Sequence, residues 1–262
     1  WIPTTDDDVT DAPSKGNSEG IFGFGTTGSV TAVTNLVSSS GVVASDVTGV
    51  GTARRYLAAC EYGGDKGIFG FGTTGSVTGV TNLVSNAGVV ASDVAAVGTA
   101  RYGPAACSYG GDKGIFVYGH DGTPNVSMSN LVSNTGVVGS DVTGVGTARH
   151  ALAACEYGGD KGIFCGGHDG SGFSAVTNLV SNVGVVGSDV AAVVGVTARE
   201  SPAACGYGYD KGIFGFGYDA GGAASMTNLV SNAGVMATDV TGVGTARYVL
   251  AATQYGGDKG IF

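Results

Sequence analysis

Residues 51–72 read GTARRYLAACEYGGDKGIFGFG: an apolar run, a two-glycine turn, and a second apolar run. Two short apolar runs joined by such a turn spell a tight β-hairpin. The same pattern returns along the whole chain, and GIF marks it each time. Dividing the chain before each GIF gives five units, 20–66, 67–113, 114–161, 162–211 and 212–259, and a sixth GIF closes the sequence at 260–262. Periods of this length are the mark of stacked repeats.

Within each unit two further runs follow the hairpin. VTNLVS (80–85) stops at Asn86-Ala87-Gly88, and VVASDV (89–94) leads through a glycine-bearing loop to the next Arg. No segment carries a sustained 3.6-residue apolar period with helix caps, so all-β structure is expected. Four strands per unit of this length predict a five-bladed β-propeller of four-stranded antiparallel blades. Small residues in GIFGFG and LAAC suit strands that converge on an axis. Ring closure is expected from the first strand at 249–255 pairing with the second strand at 20–25, which would leave residues 260–262 surplus. Residues 1–19, WIPTTDDDVTDAPSKGNSE, read as an acidic tail or linker.

The repeat resembles the kelch family. A kelch repeat sets an Arg before an apolar strand, then a tight turn, then an aromatic strand ending in glycine. The residues that match are Arg54, Tyr62, Phe69, Phe71 and Gly72. The chain departs from that family in a reduced terminal glycine doublet and in lacking the outer-strand Trp, since its one Trp is Trp1. The copies are also similar to tandem repeats in predicted tail or surface proteins of aquatic viruses and bacteria. These resemblances imply a propeller used for binding or assembly.

Composition narrows the function. The chain has 262 residues, 50 of them Gly and only 5 Pro, with 43% hydrophobic residues, which fits many short strands rather than collagen or a linker. A net charge of −9 argues against a nucleic-acid partner. No apolar run approaches the ~20 residues of a membrane-spanning helix. Cys60, Cys107, Cys155 and Cys205 share one repeat slot, and Thr253 fills it in the last copy. A slot that accepts Thr is expected to hold a small, packed, reduced thiol. Cys165 stands alone.

Residues repeated in every unit are expected to be structural, because a catalytic site is asymmetric. Arg54, Arg101, Arg149, Arg199 and Arg247 recur, as do Asp46, Asp93, Asp141, Asp189 and Asp239. An Arg–Asp pair or an Arg–carbonyl bond would tie blade to blade. Asn35, Asn82, Asn130, Asn178 and Asn228 are expected to bond turn backbone. No cofactor is expected. His120, His168, Asp121, Asp169 and Asp219 fall in equivalent loops, but no complete calcium loop is present.

The residues that differ between copies lie in the loop after the second strand and at the start of the first strand. Both regions fall at one end of the blades, and binding residues concentrate in loops on a rigid scaffold. Tyr56, Tyr102, His120, His150, His168, Tyr218 and Tyr248 are therefore the candidate ligand-binding residues. The expected function is a non-catalytic extracellular binding or structural propeller: lectin-like, or part of a surface or virion appendage. Glycan binding or head-to-tail self-association would be its partnership. The alternative is a kelch-type glycan-processing enzyme or oxidase.

Overall fold

The computed structural model describes residues 17–262, and residues 1–16 of the expected acidic tail lie outside the described residues. The fold is all-β and is built from small antiparallel sheets. The first sheet holds β1 (Gly20–Thr26) and β2 (Val30–Val37). The second holds β3 (Ala58–Tyr62), β4 (Lys66–Gly70) and β5 (Thr81–Val84). The third holds β6 (Ala105–Tyr109), β7 (Lys113–His120) and β8 (Asn125–Val132). The fourth holds β9 (Ala153–Tyr157), β10 (Lys161–Cys165) and β11 (Thr177–Val180). The fifth holds β12 (Ala203–Tyr207), β13 (Lys211–Gly215) and β16 (Thr227–Val230), with β14 (Tyr218–Asp219) and β15 (Gly222–Ala223) forming a small ribbon beside it. The sixth holds β17 (Thr253–Tyr255) and β18 (Lys259–Ile261). Among the described residues, no helix is long and apolar enough to cross a membrane.

Two expectations are corrected. Residues 249–255 do not pair with 20–25: β17 pairs with β18, and β1 pairs with β2. The last GIF is therefore not surplus but supplies the second strand of a sixth sheet, and Phe262 packs on Phe216 at 5.5 Å. The fourth segment of each unit is also not a full strand. It touches the third strand only at isolated bridges such as Val84↔Val90 and Thr81↔Val94. Ala91 N still donates to Leu83 O, but Ala91 O is taken by the side chain of Asn82 at 3.0 Å. The Asn side chain thus replaces part of the backbone ladder, and the segment bulges away before Asp93.

That Asn belongs to a recurring network. In the third sheet Asn130 donates to Gly139 O and to Asp141 Oδ1 (3.0 and 2.9 Å). Asp141 also receives the backbone N–H and the hydroxyl of Thr99, on the crossover entering the sheet. Arg101 has its whole side chain buried. It donates to Tyr118 O, Thr99 O and Asn130 Oδ1 at 2.6, 3.0 and 2.7 Å. Its guanidinium lies 3.9 Å over Phe71 of the preceding sheet and 4.0 Å from Asp141. Arg149 repeats the arrangement over Tyr118, and Arg54 stacks on Phe24. In the second sheet, however, Arg54 Nη2 and Asn82 Oδ1 have no partner. Arg–carbonyl and Arg–Asp contacts are both present, but they run within one sheet; the arginine meets the preceding sheet through the stacked ring and its own backbone carbonyl.

The rings under these arginines sit at a sharp kink. Phe24, Phe71, Tyr118 and Phe216 all have positive φ, 58–65°. Left-handed backbone is disfavoured for a bulky residue by roughly 1–2 kcal/mol. Here burial and the stacked guanidinium hold it, and past the kink the chain makes the isolated bridges Arg55↔Thr73, Tyr102↔His120 and Glu200↔Tyr218.

Consecutive sheets meet through a small set of repeated contacts. The turn glycine donates to the next sheet's turn, as Gly63 N to Asp112 O and Gly110 N to Asp160 O, each 2.7 Å. The rim glycine donates its N–H to the next Arg's carbonyl, as Gly72 N to Arg101 O at 2.8 Å. The glycine of GIF seats the preceding sheet's thiol: a Cβ on Gly114 would lie 2.5 Å from Cys60 Sγ, and one on Gly162 would lie 2.5 Å from Cys107 Sγ. The sixth sheet meets the first in the same way. Gly256 N donates to Ser18 O at 2.7 Å, and Gly20 seats Thr253. First strands lie side by side in the order β3, β6, β9, β12, β17, and β17 lies by β1.

All five cysteines are free; four are buried and Cys60 is half-buried. Burial pushes the thiols of Cys60 and Cys205 up to about 12 and that of Cys165 up to about 11. At neutral pH they are inert packing groups.

Candidate functional site

Beyond the left-handed residue (Phe71, Tyr118, Gly166 or Phe216), the second strands of four sheets make one more antiparallel contact, with the residue that follows the repeat Arg. Tyr102 and His120 exchange backbone bonds at 3.0 and 2.9 Å, and His150 and His168 do so at 3.1 and 2.9 Å. Arg55 pairs with Thr73 and Glu200 with Tyr218 in the same manner. These rim pairs place side chains from both variable regions together, because directly opposed residues in an antiparallel pair share a face.

The rings form an unbroken run. Tyr56 lies 6.1 Å from Tyr102, which lies 5.0 Å from His120 and 5.8 Å from His150. His120 is 5.5 Å and His168 is 5.9 Å from His150. The run continues through Phe173 (5.8 Å from His168) to Tyr218 (6.0 Å) and ends at Tyr248 (5.1 Å). Most of these contacts are edge-on or tilted, the geometry that aromatic quadrupoles prefer. All seven candidate residues named from the sequence are brought together here. Arg55 lies 5.1 Å over the Tyr56 ring.

The hydrogen bonds fix how the imidazoles present themselves. His120 Nδ1 accepts Gly122 N–H at 3.0 Å, and His168 Nδ1 accepts Gly170 N–H at 2.9 Å. Their neutral forms therefore carry the proton on Nε2. Asn125 donates its amide to His168 O at 3.0 Å, so its Oδ1 is the atom facing His150 Nδ1 at 2.8 Å. His150 thus donates from Nδ1 and keeps Nε2 as an acceptor. Burial, and then the charges of His120 and His168, hold the His150 pKa below its ordinary 6.5. The arc offers two N–H donors flanking one ring acceptor.

Beside the arc a cavity of about 660 Å³ opens, lined by one segment from each sheet: 21–25, 56–59, 102–106, 150–154, 200–204 and 248–252. The inner segments turn through the left-handed Tyr56, Gly103, Ala151, Ser201 and Val249. Each of these after the first donates its N–H to the one before, as Gly103 N to Tyr56 O at 2.7 Å and Ser201 N to Ala151 O at 2.7 Å. The rim is therefore a bonded scaffold rather than loose loops.

The loop carboxylates are engaged locally. Asp121 accepts Thr123 N–H, Asp169 accepts the N–H groups of Ser171 and Gly172, and Asp219 accepts that of Gly221. Among the described residues, no group of three or more His, Cys, Asp or Glu is arranged to hold a metal ion.

Sequence reasoning missed Phe173, Asn125 and Glu200. Phe173 sits in a variable loop and bridges His168 in the backbone; its being aromatic in that loop was the available signal. Asn125 lies in a variable loop without an aromatic ring to mark it, and its amide nitrogen is bonded to His168 O.

No protein-family model matches this chain, and no curated protein matches it.

Proposed function

We propose that this chain is a non-catalytic binding module: a kelch-like propeller whose aromatic rim holds a glycan. The contacts from the sixth sheet to the first repeat those between neighbours, which supports a ring. The count that fits is six blades rather than five. The observation that carries the function is the continuous run of eight rings built from the positions that vary between copies. Ring faces suit the C–H surface of a sugar, and the imidazole donors and acceptor match its hydroxyls. Several shallow positions along one rim favour multivalent capture. A cell or virion surface is the setting such a module serves.

Glycan-array binding by the whole chain tests the reading. Replacing Tyr102 and Tyr248 with Ala removes two exposed or half-exposed rings and is expected to abolish retention while leaving the circular-dichroism spectrum unchanged. Unchanged retention, or no binding to any glycan class, sinks it.

A further inference from the structure

The outermost segment of each of the first five sheets is an open strand edge. Val84 and Val90 face one another without exchanging bonds. The bonds on either side run from Ser85 N to Val89 O and from Ala91 N to Leu83 O, at 3.0 and 2.8 Å. In such a pair the N–H and C=O of Val90 point away from β5. The same two bonds flank Val43, Val138, Val186 and Met236. On each of these sheets, one main-chain donor and acceptor therefore face outward.

The side chains beside these edges are apolar. Val42, Val89, Val137, Val185 and Val235 are 62–65% exposed, and Val47, Val94, Val142, Val190 and Val240 are 44–49% exposed. Between the third strand of each sheet and the next Arg, the only charged residue is one Asp. That Asp is occupied: Asp46, Asp93, Asp141, Asp189 and Asp239 each accept the Asn amide of their own sheet. Soluble proteins guard an open edge with Lys, Pro or an inward charge. None of these guards stands at 42–45, 89–92, 137–140, 185–188 or 235–238. Residues 1–16 bring only Trp1, Ile2 and Val9 as large apolar side chains. A segment of that length reaches at most ~58 Å, too little to serve five separate edges.

We propose that these edges join copies of this chain side by side, the outer segment of one copy pairing antiparallel with that of a second. The second copy is the occupant because the edge is complementary to itself. With Val90 opposite its counterpart, the two residues exchange N–H and C=O, and Val89 falls opposite Ala91 of the other copy. In all five sheets the exposed Val has a small residue two positions on: Ala44, Ala91, Gly139, Gly187 and Ala237. Each large side chain thus lies over a gap. Charge points the same way. The chain carries −9, so two copies repel each other at long range, whereas this belt adds no free charge to the contact. Such a contact is isologous, unlike the head-to-tail one expected from the sequence. It is short, so one pairing is weak and several edges per molecule supply the strength.

Sedimentation equilibrium of the whole chain tests this. The weight-average mass should rise at least twofold with concentration, and further in added salt, which screens the net charge. A variant carrying Val42→Lys, Val89→Lys, Val137→Lys, Val185→Lys and Val235→Lys should stay monomeric, although its lysines reduce the net repulsion. Those side chains are exposed, so its circular-dichroism spectrum and melting midpoint at low concentration should match the parent's. Amide exchange in the parent locates the contact: the N–H groups of Val43, Val90, Val138, Val186 and Met236 should slow at least tenfold on association. The proposal is overturned by a parent that stays monomeric, by a variant that associates as the parent does, or by association that leaves those amides unslowed. Flotation of the parent with phosphatidylcholine vesicles, without self-association, also overturns it, because the belt would then meet a lipid surface.

Discussion

The seams between sheets and the rim that carries the aromatic arc come from the same repeat, yet they use it in opposite ways. At the seams the residues are nearly invariant from copy to copy: Arg, Asn, Asp, Thr and the glycine of GIF. Most buried polar atoms there have a fixed partner, Arg54 Nη2, Asn82 Oδ1 and Arg199 Nε being exceptions, so a substitution would orphan several others. At the rim only the backbone pairing is repeated, and the side chains change freely: Arg55, Tyr102, His150 and Glu200 occupy one slot. Separation of the two tasks lets a rigid framework carry a variable surface.

The largest break in this contrast should come at a seam. Arg101→Ala removes a fully buried guanidinium that serves three acceptors and stacks on Phe71. Burial pulls its pKa down to about 10, with Asp141 opposing, so it remains charged at neutral pH. Losing one member of such a network should cost about 3–5 kcal/mol in urea unfolding. Arg247→Ala is the internal control: that side chain also stacks over Phe216, at 4.0 Å, but it is exposed and makes one hydrogen bond, to Thr245 O at 3.3 Å. It should cost about 1 kcal/mol or less, and equal losses at both positions would remove the distinction between framework and surface.

A pH titration sharpens the comparison from the rim side. The His150 pKa is lowered on folding by burial and by its two histidine neighbours. The unfolded chain therefore binds the proton more readily. The associated stability is fully present above 6.5 and is lost as pH falls through the lowered folded value. His150→Asn should flatten the thermal midpoint across this window; an unchanged slope would show that the imidazoles are not coupled. The smallest effect is expected at the opposite end of the sheets. Lys113 pairs with its neighbour Asp112 at the surface, and Lys113→Ala should leave the unfolding midpoint unmoved.

Much of this was legible in the sequence. The GIF period located the hairpins, because a glycine turn between apolar runs has few alternatives. The five-fold recurrence of Arg and Asn marked them as structural, and the Thr253 substitution marked the Cys slot as packing. What escaped was set by contacts distant in sequence. Nothing local distinguishes VVASDV from a strand; its ladder is interrupted only because Asn82 reaches Ala91 O. Left-handed backbone at Phe71 and Tyr118 runs against residue preference and depends on the next repeat's arginine. The pairing of 259–261 with 253–255 could not be weighed against the alternative edge at 20–25 without geometry. At the site, the variable slots pointed to the seven rings, whereas Asn125 gains its role only by standing between His150 and His168.

The seating of each thiol against the next GIF glycine has a kinetic consequence. Every seam presents nearly the same surface, so a folding sheet finds several neighbours that would accept it. Cys60 fits the glycine of the third sheet, but nothing in that contact distinguishes it from the glycine of the fourth or fifth. Discrimination must come from the covalent crossover, since the shortest tether gives the highest local concentration of the correct neighbour. Repeat chains of this kind are prone to misassembly between units. A cut in one crossover, leaving every non-covalent contact unchanged, would remove the information that orders the sheets.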